Sequence, residues 1–343
     1  MRKMFSLILA LSLLLAGGAA MADERNPKPI QVVPYEDIAP TLEGQHHYLL
    51  LCIDQWNKAA RPAGAETPKQ SNGKRKDLYG NTDGMVLVTL DTRAHRIMLT
   101  SFIRDAIILK PTSTEDNQLY GRINYVYNDY GPEALCKVIS QHMDVKVEDY
   151  ILFNFTQIAN IVDYLGGVDI ELNASEISYL QRYAVPPGSV RSLSTGADLR
   201  TTVMHHPGIF HFSGHSAVIY MRIRKAGGGG DFMRTQRART VMSTLADKCR
   251  EITWEEAEAL VNNIMDNNTV TNINLEGMLE AAKYAYSLRD CTIEELRIPP
   301  DGAVTPITFA SMAAQEVDWG VCRKTMADYL ENSFLVIDED EEE

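Results

Sequence analysis

Five arginines fall within residues 213–239, in the run SGHSAVIYMRIRKAGGGGDFMRTQRAR: Arg222, Arg224, Arg234, Arg237 and Arg239. Arginine carries a permanent charge on a planar fork that meets two oxygens of a phosphate at once. Arg222 and Arg224 stand two apart in a run of Val, Ile, Tyr and Met that reads as extended, so alternation predicts both on one side. Four glycines follow, and Asp231 has the type and place of an N-cap for the next helix. Arg234 then falls in the first turns of that helix, where backbone donors favour an anion. Arg222, Arg224 and Arg234 together predict a phosphate clamp, suited to a pyrophosphate or a larger anion. Asp231 and Arg237 join it as substrate-binding candidates, although Arg237 and Arg239 read equally well as helix-face arginines paired with carboxylates.

The chain as a whole is acidic, with 33 basic against 46 acidic residues and a net charge of −13. That balance argues against a general nucleic-acid binder. An anion must therefore be captured locally. Hydrophobic content of 45% and charged content of 23% are those of an ordinary globular protein, long enough for one large domain or two smaller ones. No internal repeat and no second domain boundary is visible.

The elements that must hold the clamp read as an α/β layer fold, a single α-β-α domain with a mixed central sheet. Residues 47–53, HYLLLCI, form a short apolar run suited to a buried strand, and it ends at Asp54. Residues 85–91 and 96–102 read as a hairpin. Asp83 precedes its first strand and Arg104 follows its second, so both belong at one edge of the sheet. If the strand ending at Asp54 runs antiparallel to the one after Asp83, two carboxylates and an arginine meet there. Open α/β sheets place their sites at such an end. Further along, helices are expected near 131–143, 155–164, 234–249, 254–266, 275–288 and 319–334, with strands at 149–155 and 168–172. Residues 174–210 read as irregular, a plausible lid. Residues 55–81 read as a long loop rich in Lys and Arg, either functional or a solvated insertion.

Several of these stretches, in the same order, resemble the LytR–CpsA–Psr family of bacterial cell-wall enzymes. YMRIRK, a short spacer and DFMRTQR resemble the family's Tyr-x-Arg-x-Arg and Asp-Phe-x-Arg-x-x-Arg-Gln, with Ala238 in place of the glutamine. LLLCID resembles Leu-Leu-Gly-Val-Asp, NTDGMVLVTLD resembles Ser-Asp-Thr-Met-Met-Leu-Val-Thr, and TSFIRD resembles Ser-Ile-Pro-Arg-Asp. The charged positions are kept; Cys52 stands for a glycine, Gly84 for a threonine, Ile103 for a proline and Trp56 for an arginine. RINYVY, beginning at Arg122, resembles Lys-Ile-Asn-Ala-Ala-Tyr, and residues 153–169 also follow the family pattern. The resemblance covers residues 45–335. It implies that Asp54 and Asp83 bind Mg²⁺ and that Arg104 binds a phosphate. Arg122 either faces the anion or is a surface arginine. The implied substrate is a polyprenyl-pyrophosphate-linked glycopolymer, a teichoic acid or capsule chain, whose lipid lies among apolar helix residues. The implied reaction transfers the phospho-glycopolymer to a peptidoglycan hydroxyl. Asp83 and Asp105 are candidate proton acceptors, and Asp105 reads equally as the ion-pair partner of Arg104. A pyrophosphate hydrolase, and a non-catalytic binder of polyprenyl phosphate or wall polymer, are the competing readings.

The remaining features concern location. Arg2 and Lys3, the apolar run 5–16 and the small residues Ala20 and Ala22 make residues 1–22 a secretion signal or an uncleaved anchor. Residues 23–44 then read as a linker and 336–343 as an acidic tail. The protein is expected outside the cytoplasm, secreted or held at the outer face of the membrane. The five cysteines match neither a zinc pattern nor a disulfide scaffold, although Cys249, Cys291 and Cys322 leave one bridge open; Cys52 reads as a core residue. His205, His206, His211 and His215 match no ligand spacing.

Overall fold

A computed structural model describes residues 23–24, 26–56, 79–182, 185–201, 204–223, 226, 230–267 and 269–331. The signal segment 1–22, the basic residues of loop 57–78, Arg224 and the acidic tail 336–343 lie outside the described residues. In chain order the principal elements are β1 (Gln45–Ile53), β2 (Thr82–Asp91), β3 (Arg96–Phe102), α1 (Pro132–Met143), β4 (Asp149–Phe153), α2 (Phe155–Tyr164), β5 (Val168–Leu172), α3 (Ala174–Arg182), β6 (Val190–Ser192), β7 (Gly208–Phe212), α4 (Gly214–Met221), α5 (Gly230–Glu251), α6 (Trp254–Asp266), α7 (Leu275–Ser287), β8 (Thr292–Ile298), β9 (Val304–Phe309), β10 (Met312–Val317) and α8 (Trp319–Glu331).

The central sheet has six strands, in the order Val270–Thr271, β4, β1, β2, β3, β8. The β1–β2 and β2–β3 pairs are antiparallel, while β4 and β8 pair in parallel with β1 and β3, so the sheet is mixed. Its two faces follow from the period of two. On one face Leu49, Leu51, Met85, Leu87 and Met98 are buried in a core shared with Leu135 and Val138 of α1 and Cys322 and Met326 of α8. On the other, Leu50, Cys52, Val86, Val88 and Leu99 turn toward α5, α6 and α7. The uninterrupted apolar run of β1 is the signature of a strand covered on both sides.

Three expectations need correction. Residues 218–223 are not extended: Val218 to Met221 belong to α4, and Arg222 is its C-cap. Gly214, Ser216, Ala217, Val218 and Tyr220 are buried while His215 is exposed, and the unbroken apolar run Ala217–Met221 is too short to show a period that tells a helix from a strand. Residues 174–210 are not irregular throughout. They contribute α3 and β6, and lead into β7, which joins β5 and β6 in a second, antiparallel sheet. Residues 26–44 are no linker. Ile30 and Ile38 are buried, the Gln118 side chain bonds both backbone groups of Ile30, and the Val33 amide donates to the Gln141 carbonyl. All five cysteines are free thiols; Cys291 and Cys322 are buried separately, so none bridges.

Candidate functional site

The β1–β2 ladder carries the geometry of the site. Cys52 pairs with Gly84 and Ile53 with Thr82, so Asp83 is the extra residue of a β-bulge. A bulge re-aims one side chain at a strand end. Here it turns Asp83 onto the face lined by Cys52 and Val86, where it meets Arg234. Asp54 follows directly: its amide donates to the Asn81 carbonyl, and its carboxylate accepts the Asn81 N–H at 2.8 Å. Both carboxylates therefore stand at one end of the sheet, as the strand pattern requires.

Asp83 is the hub. Arg104, just beyond β3, donates to Asp83 Oδ1 at 2.5 Å, and Arg234 of α5 meets Oδ2 at 2.8 Å. Burial pushes this carboxyl upward, but Arg234 and Arg104 together outweigh it and hold the group below the usual carboxylate range. Asp83 is thus a fixed negative charge between two guanidinium groups. Arg222 lines the same pocket, exposed at the end of α4 with its guanidinium 4.6 Å from the Phe155 ring. Gly214 makes that placement possible. A Cβ there would lie 1.9 Å from the Ala159 carbonyl oxygen, so α4 reaches α2 only because the residue is glycine. Asp83, Arg222 and Arg234 line one small pocket with Cys52, Phe155 and Ala238.

The other expected site residues divide. Arg122 sits one step away: its guanidinium donates to Asp105 Oδ1 at 2.9 Å, and the same oxygen lies 3.7 Å from Arg104 Nε. Asp105 is therefore placed as the ion-pair partner of two arginines. Arg237 is no ligand-facing residue. It is 1% exposed, with Nε on Glu176 at 2.7 Å and its terminal nitrogens on the carbonyls of Ile223 and Ala226. Its position on the inward face of α5 makes it an internal tie that holds the chain after α4 against α3. Arg239 is turned away as well, toward Glu295. Asp231 does not cap α5; the helix begins at Gly230, and Asp231 lies inside its first turn. Trp56, where the family pattern has an arginine, packs edge-on against Phe155 and stacks on His215 at 4.7 Å. Among the described residues no three His, Cys, Asp or Glu side chains form a metal-binding group, and His211 instead bonds Asp169 at 2.7 Å.

The resemblance put the lipid among apolar helix residues without locating a chamber for it. Between the sheet and α5, α6 and α7 lies a cavity of about 390 Å³, walled by residues such as Leu50, Val88, Met242, Leu260 and Ala285. Cys52, Gly84, Val86, Met221 and Ala238 line both this cavity and the charged pocket. The anion site thus opens straight into an apolar chamber. Cys52 is not a core residue but part of that junction, half-buried, with its thiol pushed up by burial. Two departures from the family pattern meet here. Cys52 stands for glycine and Gly84 for threonine, and the two are direct cross-strand partners, so side-chain volume has moved from one strand to the other. A Cβ on Gly84 would lie 3.1 Å from that of Cys52.

Comparison with known proteins agrees with this architecture. The model of the LytR_cpsA_psr family matches residues 53–320. Biofilm regulatory protein A of Streptococcus mutans is 23% identical over 219 residues, covering 63% of this chain and 50% of that protein. The polyisoprenyl-teichoic acid–peptidoglycan teichoic acid transferase TagU of Bacillus cereus is 25% identical over 233 residues, 67% of each. The chain therefore spans half the length of the first of these relatives and about two thirds of the second. Among solved structures, Bacillus subtilis TagV superposes with a TM-score of 0.58 at 18% identity, over 85% of this chain and 99% of that one. TagT with bound octaprenyl pyrophosphate lipid gives 0.56 at 18% identity, over 85% and 90%. These likenesses establish the fold.

Proposed function

The chain belongs to the LytR–CpsA–Psr family, and on that premise we propose that it moves a phospho-glycopolymer, a teichoic acid or capsule chain, from a polyprenyl-pyrophosphate carrier to a peptidoglycan hydroxyl. One observation carries the reading: a carboxylate clamped by two arginines, with a third arginine lining the same pocket, opens directly into an apolar cavity of about 390 Å³. A pyrophosphate joined to a hydrocarbon chain has that polarity profile. The curated relative TagU is named a teichoic acid transferase, and the TagT structure is described with octaprenyl pyrophosphate bound.

Arg222, Arg234 and Arg104 would meet the phosphate oxygens and neutralise the charge that builds on them in the transition state. The acceptor hydroxyl oxygen attacks the phosphorus that carries the glycan, the P–O bond to the lipid phosphate breaks, and polyprenyl phosphate leaves, taking up the proton that the hydroxyl gives up. Asp83 serves as the charge that orders the two arginines. Its carboxyl, held below the ordinary range by Arg234 and Arg104, is a weak proton acceptor. Asp105, tied between Arg104 and Arg122, is a positioning group.

Asp54 and Asp83 are the residues that would hold magnesium, Asp83 sharing its oxygens with Arg104 and Arg234. Both offer oxygen donors at one end of the sheet, and the ion takes few protein ligands, leaving its remaining positions to water and phosphate oxygens. When bound there it would draw charge from the phosphate oxygens. The same reading puts the reaction outside the cytoplasm, at the outer membrane-leaflet surface. No described helix is long and apolar enough to cross a membrane.

The test is turnover of a short polyprenyl-pyrophosphate glycan by the purified protein, with and without Mg²⁺, with peptidoglycan fragments as acceptor. Metal-dependent release of polyprenyl phosphate, label on the acceptor, and loss of both in Arg222→Ala is the expected result. Release without labelled acceptor makes the protein a hydrolase. Tight lipid binding without release makes it a binding protein.

A further inference from the structure

The ion pairs that begin at Asp83 do not stop at the anion site. Asp83 to Arg104, Arg104 to Asp105 and Asp105 to Arg122 are linked at 2.5, 3.7 and 2.9 Å. Asp83 lines the pocket that opens into the apolar cavity; Arg122, at the far end of these linked pairs, lines a different pocket of about 200 Å³. That pocket lies between the short strands Ile107–Leu109 and Tyr120–Arg122, the helix Val126–Tyr130 and the β9–β10 hairpin. Tyr120, Tyr125, Tyr130 and Phe309 give it four aromatic rings, none of them fully buried. Lys110 and Asp129 add charges of both signs.

We propose that this pocket is a saccharide subsite that seats one pyranose ring. The reading rests on the carrier chemistry above and names where the glycan goes. A sugar ring presents C–H groups on its faces and hydroxyls around its rim. Aromatic rings take the faces, while carboxylate, ammonium and guanidinium groups take the hydroxyls. At about 30 Å³ for each water in the liquid, the volume corresponds to roughly seven waters, room for a single ring. The order of sites then matches the order of groups in the substrate: lipid in the apolar cavity, pyrophosphate at Asp83 and its arginines, sugar beyond Arg122.

The hairpin that closes the pocket supports a built feature. Ala310 and Ser311 at its tip hold φ of 48° and 60°, a two-residue turn normally filled by Asn and Gly. Non-glycine residues kept in that region mark a constrained place in the fold. The turn puts Phe309 on the pocket wall and Met312 against the Tyr125 hydroxyl and Arg122.

The experiment uses the full chain and three probes: polyprenyl pyrophosphate without sugar, the same lipid carrying one N-acetylated hexose, and a lipid-free peptidoglycan oligosaccharide. In Phe309→Ala and Tyr130→Ala, binding of the bare lipid stays within twofold of wild type, which also reports an intact fold. Binding of a sugar probe weakens about tenfold. Loss on the sugar-bearing lipid assigns the ring to the donor; loss on the oligosaccharide assigns it to the acceptor. Equal losses on all three probes, or none, overturn the subsite. Failure of wild type to bind the bare lipid would instead sink the carrier reading. A second measurement stands if both variants unfold. Met312→Cys, at the exposed rim, is labelled by a maleimide, and either sugar probe slows labelling at that position at least tenfold more than bare lipid does. Equal protection by the bare lipid and the sugar probes refutes the proposal.

Discussion

The exchange of volume between Cys52 and Gly84 can be weighed by a double-mutant cycle. In Gly84→Thr the new Cβ would start 3.1 Å from the Cys52 Cβ. Carbon contacts are comfortable at roughly 3.5–4.0 Å, so the ladder must open by about half an ångström. Overpacking of this kind costs about 1–3 kcal/mol. Replacing glycine in the unfolded chain returns about 0.4–1 kcal/mol, leaving a net loss of about 1–2 kcal/mol. Cys52→Gly removes a half-buried side chain and adds backbone freedom, a further loss of about 1–2 kcal/mol. In the double variant the threonine fills the space the cysteine vacates, and the loss should fall to about 1 kcal/mol. The coupling is then about 1–3 kcal/mol, within the range for residues in contact. Urea denaturation of the four proteins at neutral pH measures it. A double variant whose loss equals the sum of the singles within about 0.5 kcal/mol would refute the exchange. Because both residues line the junction between charged pocket and cavity, Gly84→Thr alone should also weaken lipid binding, and Cys52→Gly should restore it.

Three further outcomes follow from the charges and the turn. Arg222→Ala should change stability by no more than about 0.5 kcal/mol and lower turnover at least about a hundredfold, whereas Arg237→Ala, which leaves Glu176 buried and unpaired, should lose about 3–5 kcal/mol in urea denaturation. The Asp83 carboxyl is depressed in the folded state, so its contribution is complete above the unfolded value of about 3.9 and is lost as pH falls through the folded value. Asp83→Asn should remove that acid-side slope in a pH series of melts and lower stability at neutral pH by about 3–5 kcal/mol, with Arg104 and Arg234 left facing each other. Replacing Ala310 and Ser311 by Asn and Gly should stabilise the fold by about 1–2 kcal/mol, seen as a higher urea midpoint at unchanged slope; no change would mean that the turn carries no strain.

Asp54, Asp83 and Arg104 could be placed together from the sequence because strand ends and a hairpin are local facts. Apolar runs bounded by charged residues set the strands, and an antiparallel pair brings its ends together whatever surrounds it. The covering of both sheet faces was legible in the same way, from the unbroken apolar residues of β1. Three things needed the tertiary structure. Whether residues 214–221 form a helix or a strand depended on their packing against α2, because an unbroken apolar run of five residues is too short to show a period. Which arginine serves a ligand and which an internal carboxylate could not be read from spacing. Arg234 and Arg237 are three residues apart on one helix, yet one reaches Asp83 and the other Glu176, because different elements pack along different sides of α5. The apolar cavity is likewise no property of any single segment. Its walls come from the sheet and from helices far apart in the chain, and only their packing decides that the space between them stays open beside the charge.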